Sequence, residues 1–259
     1  MVTRPRTQSQ PLVERLQALG ATAVAVPTIR IVPPRPGGAL DRALGHLHEY
    51  DWVVVTSANG ARACLTRARA LGVSLSAARP QWAAIGPATA AALRSAGVTV
   101  AVTPPRYLTE AIVAALPDVH GVRVLLPRTD AAPPGLAQAL RERGAQVDEV
   151  TAYRTILAPA SSRERVRQLV ARRAVDTIIF TSASTVHGLV RLLDERRDAL
   201  QGMTLACIGP VTAAAVAEHG LHPSVVAAEH TTDGVIAALI AHHETGRKGA
   251  PHARDRAAR

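Results

Sequence analysis

Short apolar runs alternate along this chain with longer segments that are apolar at helical spacing. DWVVVTS at 51–57 and WAAIG at 82–86 are two such runs, and an Ala- and Leu-rich segment follows each of them. Continuously apolar strands that alternate with helices are typical of a parallel sheet covered on both faces. Each helical segment is expected to end at a glycine with a left-handed backbone, namely Gly20, Gly97, Gly144 and Gly220. The pattern predicts an α/β fold of doubly wound parallel sheets.

The same series of strands, loops and helices occurs twice. IGPATAAALRSAG at 85–97 returns as IGPVTAAAVAEHG at 208–220, and DWVVVTSANGARACL at 51–65 returns as VDTIIFTSASTVHGL at 175–189. The offset stays near about 124 residues, also between 2–26 and 126–150 and between 108–116 and 231–239. The first copy begins with MVTR where the second has GVRVLLPR, so its first strand is expected to be shorter. The sequence therefore predicts two similar α/β domains built from a duplicated unit.

The composition predicts a core of aliphatic residues and a location inside the cell. The 259 residues are 47% hydrophobic but only 2% aromatic, so the core must consist of Ala, Val, Leu and Ile. No apolar run approaches the roughly 18–20 residues of a membrane helix, and the start, MVTRPRTQSQ, lacks the apolar stretch of a secretory signal. Cys64 and Cys207 are expected to be reduced, buried thiols. We expect a soluble, cytoplasmic protein that does not act at a membrane.

The net charge of +10 is a weak indicator of function. Much of it lies in a basic tail at 247–259, which is expected to be disordered and contains the single lysine, Lys248. Charge therefore favours an anionic ligand only slightly, and a small carboxylate or phosphate as much as nucleic acid. Because aromatic residues for base stacking are scarce, we expect no nucleic-acid partner.

The repeated loop motifs all follow the predicted strands. In open α/β sheets ligands bind where strands end and helices begin. At the Gly-Pro turns we expect glycine to allow a sharp turn, proline to occupy the first helical position, and the free amides to point outward. The hydroxyls in these loops either bind an anionic group or cap their own helices; they belong to Ser57, Thr89, Ser182 and Thr212.

Several common kinds of site are excluded by missing motifs. The chain has no GxxxxGK[ST], no GxGxxG and no GxSxG. Because the single lysine lies in the tail, Schiff-base chemistry is excluded as well. The histidines lack partners at metal-ligand spacing, and carboxylates are sparse near the strand ends. We expect a site without metal or cofactor, built from backbone amides, hydroxyls and an arginine or tyrosine.

Tyr153 and two arginines are the candidate side chains beyond the hydroxyls. TAYRTILAP at 151–159 matches PTIRIVPP at 27–34, with Tyr153 in place of Ile29. Tyr153 is a candidate acid or hydrogen-bond donor, or else it anchors a linker. The alternatives for Arg4 and Arg128, which follow the first strand of each copy, are ligand binding and solvated surface positions.

The chain resembles the uroporphyrinogen-III synthase family in an ordered series of segments, from residue 2 to about 240: VTRP, GATAVAVPTIRI, DWVVVTSANGA, AAIGPATAAAL, RVLLPRTD, GAQVDEVTAYRT, IIFTSAS and ACIGPVTAAA. The resemblance implies two α/β domains joined by a two-stranded antiparallel ladder, since the family's chain crosses early and returns late. The expected ranges are domain one at 1–28 plus 158–246, domain two at 35–150, and a ladder of 29–34 with 151–157.

The resemblance also implies a reaction. Enzymes of this family are cyclising hydro-lyases of tetrapyrrole (haem) biosynthesis. The resemblance implies that the chain converts hydroxymethylbilane, a linear polycarboxylate tetrapyrrole, to uroporphyrinogen III without a cofactor. Water leaves, the last pyrrole ring is inverted, and positioning dominates over acid–base chemistry. The Gly-Pro turns of the two copies are then expected to lie in different domains across one cleft. We expect a monomer that receives its substrate from hydroxymethylbilane synthase.

Site residues follow by matching motifs. Tyr153 matches the family's junction tyrosine, which is proposed to assist departure of the hydroxyl. The family's cleft-lining hydroxyls match Thr89, Ser182, Thr212 and Thr232. The predicted substrate-binding set also includes neighbouring loop residues and the two strand-end arginines: Ser57, Ala58, Gly86, Ala88, Ala183, Ser184, Gly209, Val211, Arg4 and Arg128.

Two other classes of function are weighed against the enzyme. A two-lobed tetrapyrrole sensor would keep the fold without catalysis, and loss of Tyr153 or of the Gly-Pro turns would point to it. A nucleic-acid binder would fit the charge but not the lack of aromatic residues. Because Tyr153 and both Gly-Pro turns are present, the sequence favours the enzyme.

Overall fold

The computed structural model describes residues 1–105, 109–194 and 196–248, and the chain forms two compact units. Unit 1 consists of Met1–Arg30 together with the chain from Ile156 onward, and unit 2 consists of Ile31–Thr155. The chain thus passes from one unit to the other twice, close to the two predicted linker segments. Of the predicted tail, residues 247 and 248 belong to the last helix, and residues 249–259 lie outside the described part of the chain.

Strands and helices alternate along both units. The strands are β1 (Ile29–Val32), β2 (Trp52–Val55), β3 (Gln81–Ala84), β4 (Val100–Val102), β5 (Arg123–Thr129), β6 (Gln146–Leu157), β7 (Thr177–Phe180), β8 (Thr204–Cys207) and β9 (Val225–Val226). The helices are α1 (Arg6–Ala18), α2 (Ala39–Gly45), α3 (Ala58–Leu71), α4 (Pro87–Arg94), α5 (Thr109–Ala115), α6 (Gly135–Glu142), α7 (Ala160–Ala171), α8 (Ala183–Leu192), α9 (Pro210–Glu218) and α10 (Thr232–Lys248). Short 3₁₀ helices form at Leu47–Glu49 and Arg197–Leu200.

In unit 2 the sheet has the strand order β6-β5-β2-β3-β4, with β1 beside β6 at the edge. The pairs β5–β6, β2–β5, β2–β3 and β3–β4 are parallel. Val53 and Val55 pack with apolar residues of α2, α3 and α4, whereas Trp52 and Val54 pack with α5 and α6. Successive strand residues thus point to opposite faces, and helices cover both of them, as the continuously apolar runs predict.

Unit 1 repeats this arrangement with shorter strands. β7, β8 and β9 are parallel neighbours, and Val2 forms parallel bridges to Ala25 and to Ile179 of β7. The residues around Val2 therefore lie between the segment around Ala25 and β7, in the place that β5 occupies between β6 and β2. Ile178 and Phe180 pack with α7, α8 and α9, and Ile179 packs with α1 and α10.

The ends of several helices follow the local signals in the sequence. The predicted C-terminal glycines all have a positive φ, as predicted, with values of 85° at Gly20, 79° at Gly97, 84° at Gly144 and 70° at Gly220. Pro87 and Pro210 open α4 and α9 at the first helical position. Among the described residues, no helix is both long enough and apolar enough to cross a bilayer.

Candidate active site

In unit 2 the predicted site residues lie where the parallel strands end. Ser57 follows β2 and is the N-cap of α3, and Gly86 follows β3 and is the N-cap of α4. Arg128 is the last residue but one of β5. Tyr153 of β6 is paired with Thr129 of β5, just after a β-bulge between Arg128 and Thr129. Because carboxyl ends of parallel strands share one edge, this edge collects the predicted residues of unit 2.

Ser57 and Tyr153 are in direct contact. The Tyr153 hydroxyl oxygen lies 3.0 Å from Ser57 Oγ, although β5 separates their strands β6 and β2 in the sheet. Ser57 Oγ also accepts a hydrogen bond of 3.0 Å from the Gly60 amide. Of the two alternatives that the sequence leaves for this hydroxyl, helix capping is present, and binding of an anionic group stays a prediction; the contact with Tyr153 is a third role that the sequence did not indicate.

The environment of Tyr153 keeps its phenol protonated. Tyr153 is only 7% exposed, and burial raises its pKa above the ordinary value of 10. Hydrogen bonds with Ser57 and Asn59 and the positive charge of Arg128 act in the opposite direction, while the charge of Asp130 raises the pKa further. A phenol with a raised pKa carries its proton at neutral pH, as a general acid must.

Arg128 is buried, so the alternative of a solvated surface arginine is wrong. It is 6% exposed, and its Nη1 donates to the Pro133 carbonyl and to Glu149 Oε1, both at 2.8 Å. Its Nε is buried without a hydrogen-bond partner among the described residues. The guanidinium therefore fixes the loop after β5 and places a positive charge in the vicinity of Tyr153.

The start of α4 has backbone donors without a side-chain cap. Gly86 makes no capping hydrogen bond through a side chain, and its φ of −163° is extended. The expectation of a sharp, glycine-dependent turn is therefore wrong at this position, since any residue adopts such a backbone. Thr89 is buried and Ala88 is exposed. Pro87 has no N–H, and the Thr89 amide donates to the Gly86 carbonyl at 3.1 Å, so the accessible amide of the first turn is that of Ala88.

In unit 1 the helix start that corresponds to α3 is that of α8. Its N-cap, Ser182, makes no capping hydrogen bond through its side chain; its Oγ instead lies 2.9 Å from Ser184 Oγ. Ser182, Ala183 and Ser184 are all partly exposed. Ile29, which matches Tyr153 in the repeat, is 4% exposed and offers no hydroxyl, so unit 1 lacks the Ser–Tyr contact of unit 2.

The start of α9 brings in a residue that sequence reasoning missed. Gly209 has an extended φ of 176°, and a Cβ there would lie 2.8 Å from Cδ2 of His230. Glycine is needed because the imidazole packs against its Cα, and not because of a sharp turn, so that expectation is wrong at Gly209 too. Thr212 is buried and Val211 is 63% exposed. The sequence gives no signal for His230, because the histidines follow no motif at metal-ligand spacing or otherwise.

Arg4 and Thr232 complete the predicted set in unit 1. Arg4 is partly exposed, and its Nη2 donates to Gln8 Oε1 at 3.4 Å. Thr232 is the first residue of α10 and partly exposed, but Thr231 provides the cap by accepting from the Gly234 amide at 2.9 Å. Asn59 and Glu149 in unit 2, like His230, are neighbours that the motifs did not indicate.

The predicted residues are thus gathered within each unit at the carboxyl ends of its strands. Unit 2 supplies a buried phenol, a buried guanidinium and an uncapped helix start, and unit 1 supplies two uncapped helix starts. Among the described residues, no group of three or more His, Cys, Asp or Glu side chains is placed to hold a metal ion. Such edges suit a polyanionic ligand and proton donation to it.

Comparisons with known proteins agree on one family. A sequence profile described as "Uroporphyrinogen-III synthase HemD" matches residues 10–237. The chain is 31% identical over 246 residues to the uroporphyrinogen-III synthase of Synechococcus elongatus, covering 92% of this chain and 93% of that protein. It is 30% identical over 248 residues to the putative uroporphyrinogen-III synthase of Methanothermobacter thermautotrophicus, covering 92% and 96%.

Solved structures show the same fold. The crystal structure of a mutant uroporphyrinogen III synthase from Thermus thermophilus superimposes with a TM-score of 0.70 at 23% identity, covering 94% of this chain and 98% of that one. This similarity supports the fold, and the sequence matches define the relationship. The chain belongs to the uroporphyrinogen-III synthase family, whose members are cyclising lyases of tetrapyrrole biosynthesis.

Proposed function

We propose that this chain cyclises hydroxymethylbilane to uroporphyrinogen III, with loss of water and inversion of the last pyrrole ring. Family membership supports the reaction class. The observation that carries the assignment to this chain is the buried Tyr153 phenol, which lies 3.0 Å from Ser57 Oγ and, like any phenol with a pKa near or above about 10, carries its proton at neutral pH. A sensor without catalysis would have no need of such an acid.

Tyr153 is the acid in this proposal. Its proton passes to the hydroxymethyl oxygen, the C–O bond breaks with both electrons, and water leaves. The lone pair of the pyrrole nitrogen fills the vacant orbital and gives a protonated azafulvene. Attack by the substituted carbon of the last ring forms the spiro intermediate, which rearranges with that ring inverted. The proton lost on closure of the macrocycle returns to the tyrosinate, so the enzyme is regenerated.

The carboxylates of the substrate are bound by backbone amides at the helix starts. In unit 2 these belong to α3 and α4, and in unit 1 to α8, α9 and α10. The starts of α4, α8 and α9 have no side-chain cap, and the positive end of the helix dipole favours carboxylates at all five helix starts. The proposed contacts are Ser57, Ala58, Gly86, Ala88 and Thr89 in unit 2 and Arg4, Ser182, Ala183, Ser184, Gly209, Val211, Thr212 and Thr232 in unit 1.

The buried position of Arg128 changes its proposed role. Its guanidinium is held by Glu149 and the Pro133 carbonyl and is 6% exposed. We therefore propose that Arg128 acts through its charge on Tyr153 and on the loop after β5, in place of the direct carboxylate contact that the sequence suggested.

The function is tested by analysis of the product isomers. Purified protein receives freshly prepared hydroxymethylbilane, the product is oxidised, and the type I and type III porphyrins are separated by chromatography. We expect type III to predominate, because the enzyme must prevent the spontaneous closure that gives type I. Predominantly type I porphyrin, as in the absence of protein, would contradict the proposal. Tight binding of hydroxymethylbilane without acceleration would establish the sensor.

We further propose a cytoplasmic monomer that takes hydroxymethylbilane from hydroxymethylbilane synthase. Both cysteines are buried and free, which suits a reducing compartment. Light scattering after size-exclusion chromatography measures the mass, and a species near 27.2 kDa is expected.

Transfer of the substrate is tested by adding a catalytically inactive protein that binds free hydroxymethylbilane. If the substrate passes directly between the two enzymes, this protein should lower the yield of type III porphyrin less in an assay coupled to hydroxymethylbilane synthase than in an assay supplied with free hydroxymethylbilane. A larger species or an equal loss in both assays would contradict these two proposals.

A further inference from the structure

Ser57 Oγ has two partners in unit 2, and together they use most of its hydrogen-bonding capacity. The Gly60 amide donates to it at 3.0 Å, and the Tyr153 hydroxyl lies 3.0 Å away. A serine hydroxyl has one proton and two acceptor lone pairs. Because the amide occupies one lone pair, Ser57 either accepts the phenolic proton with the other or donates its own proton to the phenol oxygen.

These two arrangements have different consequences for proton transfer. When Tyr153 donates to Ser57, its proton is engaged and points away from any substrate. When Ser57 donates to Tyr153, the phenolic proton is free for another acceptor, and the same Ser57 proton stabilises the tyrosinate left after transfer. Hydrogen bonds to a charged oxygen are about twice as strong as those between neutral groups. The second arrangement therefore gains stability as the proton leaves.

Gly60 fixes the position of Ser57 for this role. A Cβ on Gly60 would lie 3.3 Å from the Pro127 carbonyl oxygen and 3.3 Å from Ser57 Oγ. The first turn of α3 therefore lies close against the end of β5, with little space for a side chain. This close approach places Ser57 Oγ within reach of a tyrosine two strands away, on β6.

We propose that Ser57 is a positioning residue for Tyr153, which directs the phenolic proton to the leaving hydroxyl and donates to the tyrosinate that forms. The inference rests on the proposed function and adds a role that cannot be reduced to helix capping. The other groups that act on the phenol are Asn59 and the charges of Arg128 and Asp130. Among the residues that the structure describes, the hydroxyl within hydrogen-bond distance of Tyr153 is that of Ser57.

Ser182 provides a matched control within the same chain. It occupies the corresponding N-cap position at the start of α8, but its Oγ contacts Ser184 Oγ, and Ile29 stands where the repeat would place a tyrosine. Loss of the Ser182 hydroxyl therefore removes no hydrogen bond to a phenol. Any effect of the Ser182→Ala substitution should be independent of Tyr153.

A double-mutant cycle tests the inference. We expect Ser57→Ala to lower kcat by about ten- to a hundredfold, the range for a hydrogen bond to a charged group, with little change in KM. In a Tyr153→Phe background the same substitution should cause almost no further loss, because the phenol through which it acts is gone. Ser182→Ala should change kcat by the same factor in both backgrounds. Ser57→Thr should restore most of the activity.

A second measurement separates this role from loss of the α3 cap. Absorbance titration of a Tyr50→Phe/Tyr107→Phe protein follows ionisation of Tyr153. The Ser57 hydrogen bond lowers the pKa of Tyr153, so Ser57→Ala should raise it, while Ser182→Ala should leave it unchanged. A merely structural loss would lower the melting temperature without moving this titration.

The outcomes distinguish the inference from the function beneath it. Additive losses of Ser57→Ala and Tyr153→Phe, or an unmoved titration, would overturn the role of Ser57 while leaving Tyr153 as the acid. Full kcat in Tyr153→Phe would overturn both roles. Type I porphyrin from the unaltered protein would overturn the proposed reaction itself.

Discussion

Tyr153 and Asp41 are two buried ionisable residues of unit 2 with different tasks. Tyr153 has a hydroxyl partner, Ser57, and burial raises its pKa. Asp41 is 7% exposed and accepts from Arg67 Nε at 2.7 Å and Nη2 at 2.5 Å and from the Gly37 amide at 2.6 Å. The Arg67 hydrogen bonds hold its pKa below the usual value of 3.8. Burial thus favours the neutral form of the phenol, and the ion pair with Arg67 favours the charged form of the carboxylate.

The Tyr153→Phe substitution should lower kcat by about a hundredfold, the lower range for loss of a general acid. The product should remain type III, since the ring pose depends on the helix starts. Tyr50→Phe is the control, because Tyr50 donates to Asp148 at 2.8 Å and precedes β2, away from the carboxyl edge. Initial rates and isomer ratios measure both. An unchanged kcat in Tyr153→Phe would contradict the acid role.

Asp41→Asn should destabilise the protein by about 3 kcal/mol, because removing one member of a buried ion pair leaves the other without compensation. The exposed pair of Arg15 and Asp233 provides the control, and Arg15→Met should cost no more than about 1 kcal/mol. Denaturant unfolding measures both. Equal losses in the free energy of unfolding for the two substitutions would contradict the expectation that the buried ion pair contributes more than the exposed one.

The same carboxylate predicts a pH dependence. Because its folded pKa is depressed, its contribution is complete above the unfolded value, near about pH 4, and is lost as the pH falls through the lower folded value. The stability difference between the unaltered protein and Asp41→Asn should therefore be constant near neutral pH and shrink below about pH 4. A difference that persists undiminished in acid would refute this linkage.

At the scale of elements, small residues allow a helix to lie directly against neighbouring backbone, as α8 does in unit 1. A Cβ on Gly188 would lie 2.1 Å from the Thr28 carbonyl oxygen, and Thr28 Oγ1 donates to the Thr185 carbonyl at 2.8 Å. The Thr28 carbonyl also accepts from the Ala158 amide at 2.9 Å. The helix therefore approaches the backbone of the segment before β1 directly.

Gly188→Ala should destabilise unit 1 by about 1–3 kcal/mol, since overpacking moves backbone as well as side chains. Gly135, in α6 of unit 2, is the matched control, because a Cβ there has no atom within 4 Å. Gly135→Ala should be neutral or stabilising by up to about 1 kcal/mol, the gain in helix propensity. Thermal unfolding followed by circular dichroism compares the two. An unchanged melting temperature of Gly188→Ala would contradict the prediction and show that the contact between α8 and the Thr28 backbone accommodates a methyl group.

At the scale of the whole molecule, each unit has its own interior. Two apolar clusters flank the sheet of unit 2, and two others flank that of unit 1. Each interior contains one cysteine, Cys64 in unit 2 and Cys207 in unit 1, and both are free. Burial raises their pKa to about 12 and about 11, respectively. The two thiols are therefore unreactive while their own unit is folded.

Because each unit contains one buried thiol, the reactivity of each thiol should report the unfolding of its own unit. Single-cysteine variants, Cys207→Ala and Cys64→Ala, should be inert to a disulfide reagent at pH 8 and become reactive in denaturant at different midpoints, since each unit has its own core. Asp41→Asn should shift only the Cys64 midpoint, and Gly188→Ala only the Cys207 midpoint. Coincident midpoints that shift together would contradict independent units.

The sequence by itself determined the alternation of strands and helices, the internal repetition and the loops that follow the strands, and it marked Tyr153 as a candidate because the repeat has Ile29 in its place. These follow from apolar periodicity, capping residues and internal repetition, which are local properties or direct comparisons along the chain. Only the tertiary structure decided that Arg128 is buried, that His230 packs on Gly209, and that Ser57 reaches Tyr153. The contact of Ser57 with Tyr153 joins residues distant in the sequence and depends on the order of β6, β5 and β2 and on the β-bulge between β5 and β6. The contact of Gly209 with His230 likewise depends on the packing of separate segments of unit 1, which no local pattern encodes.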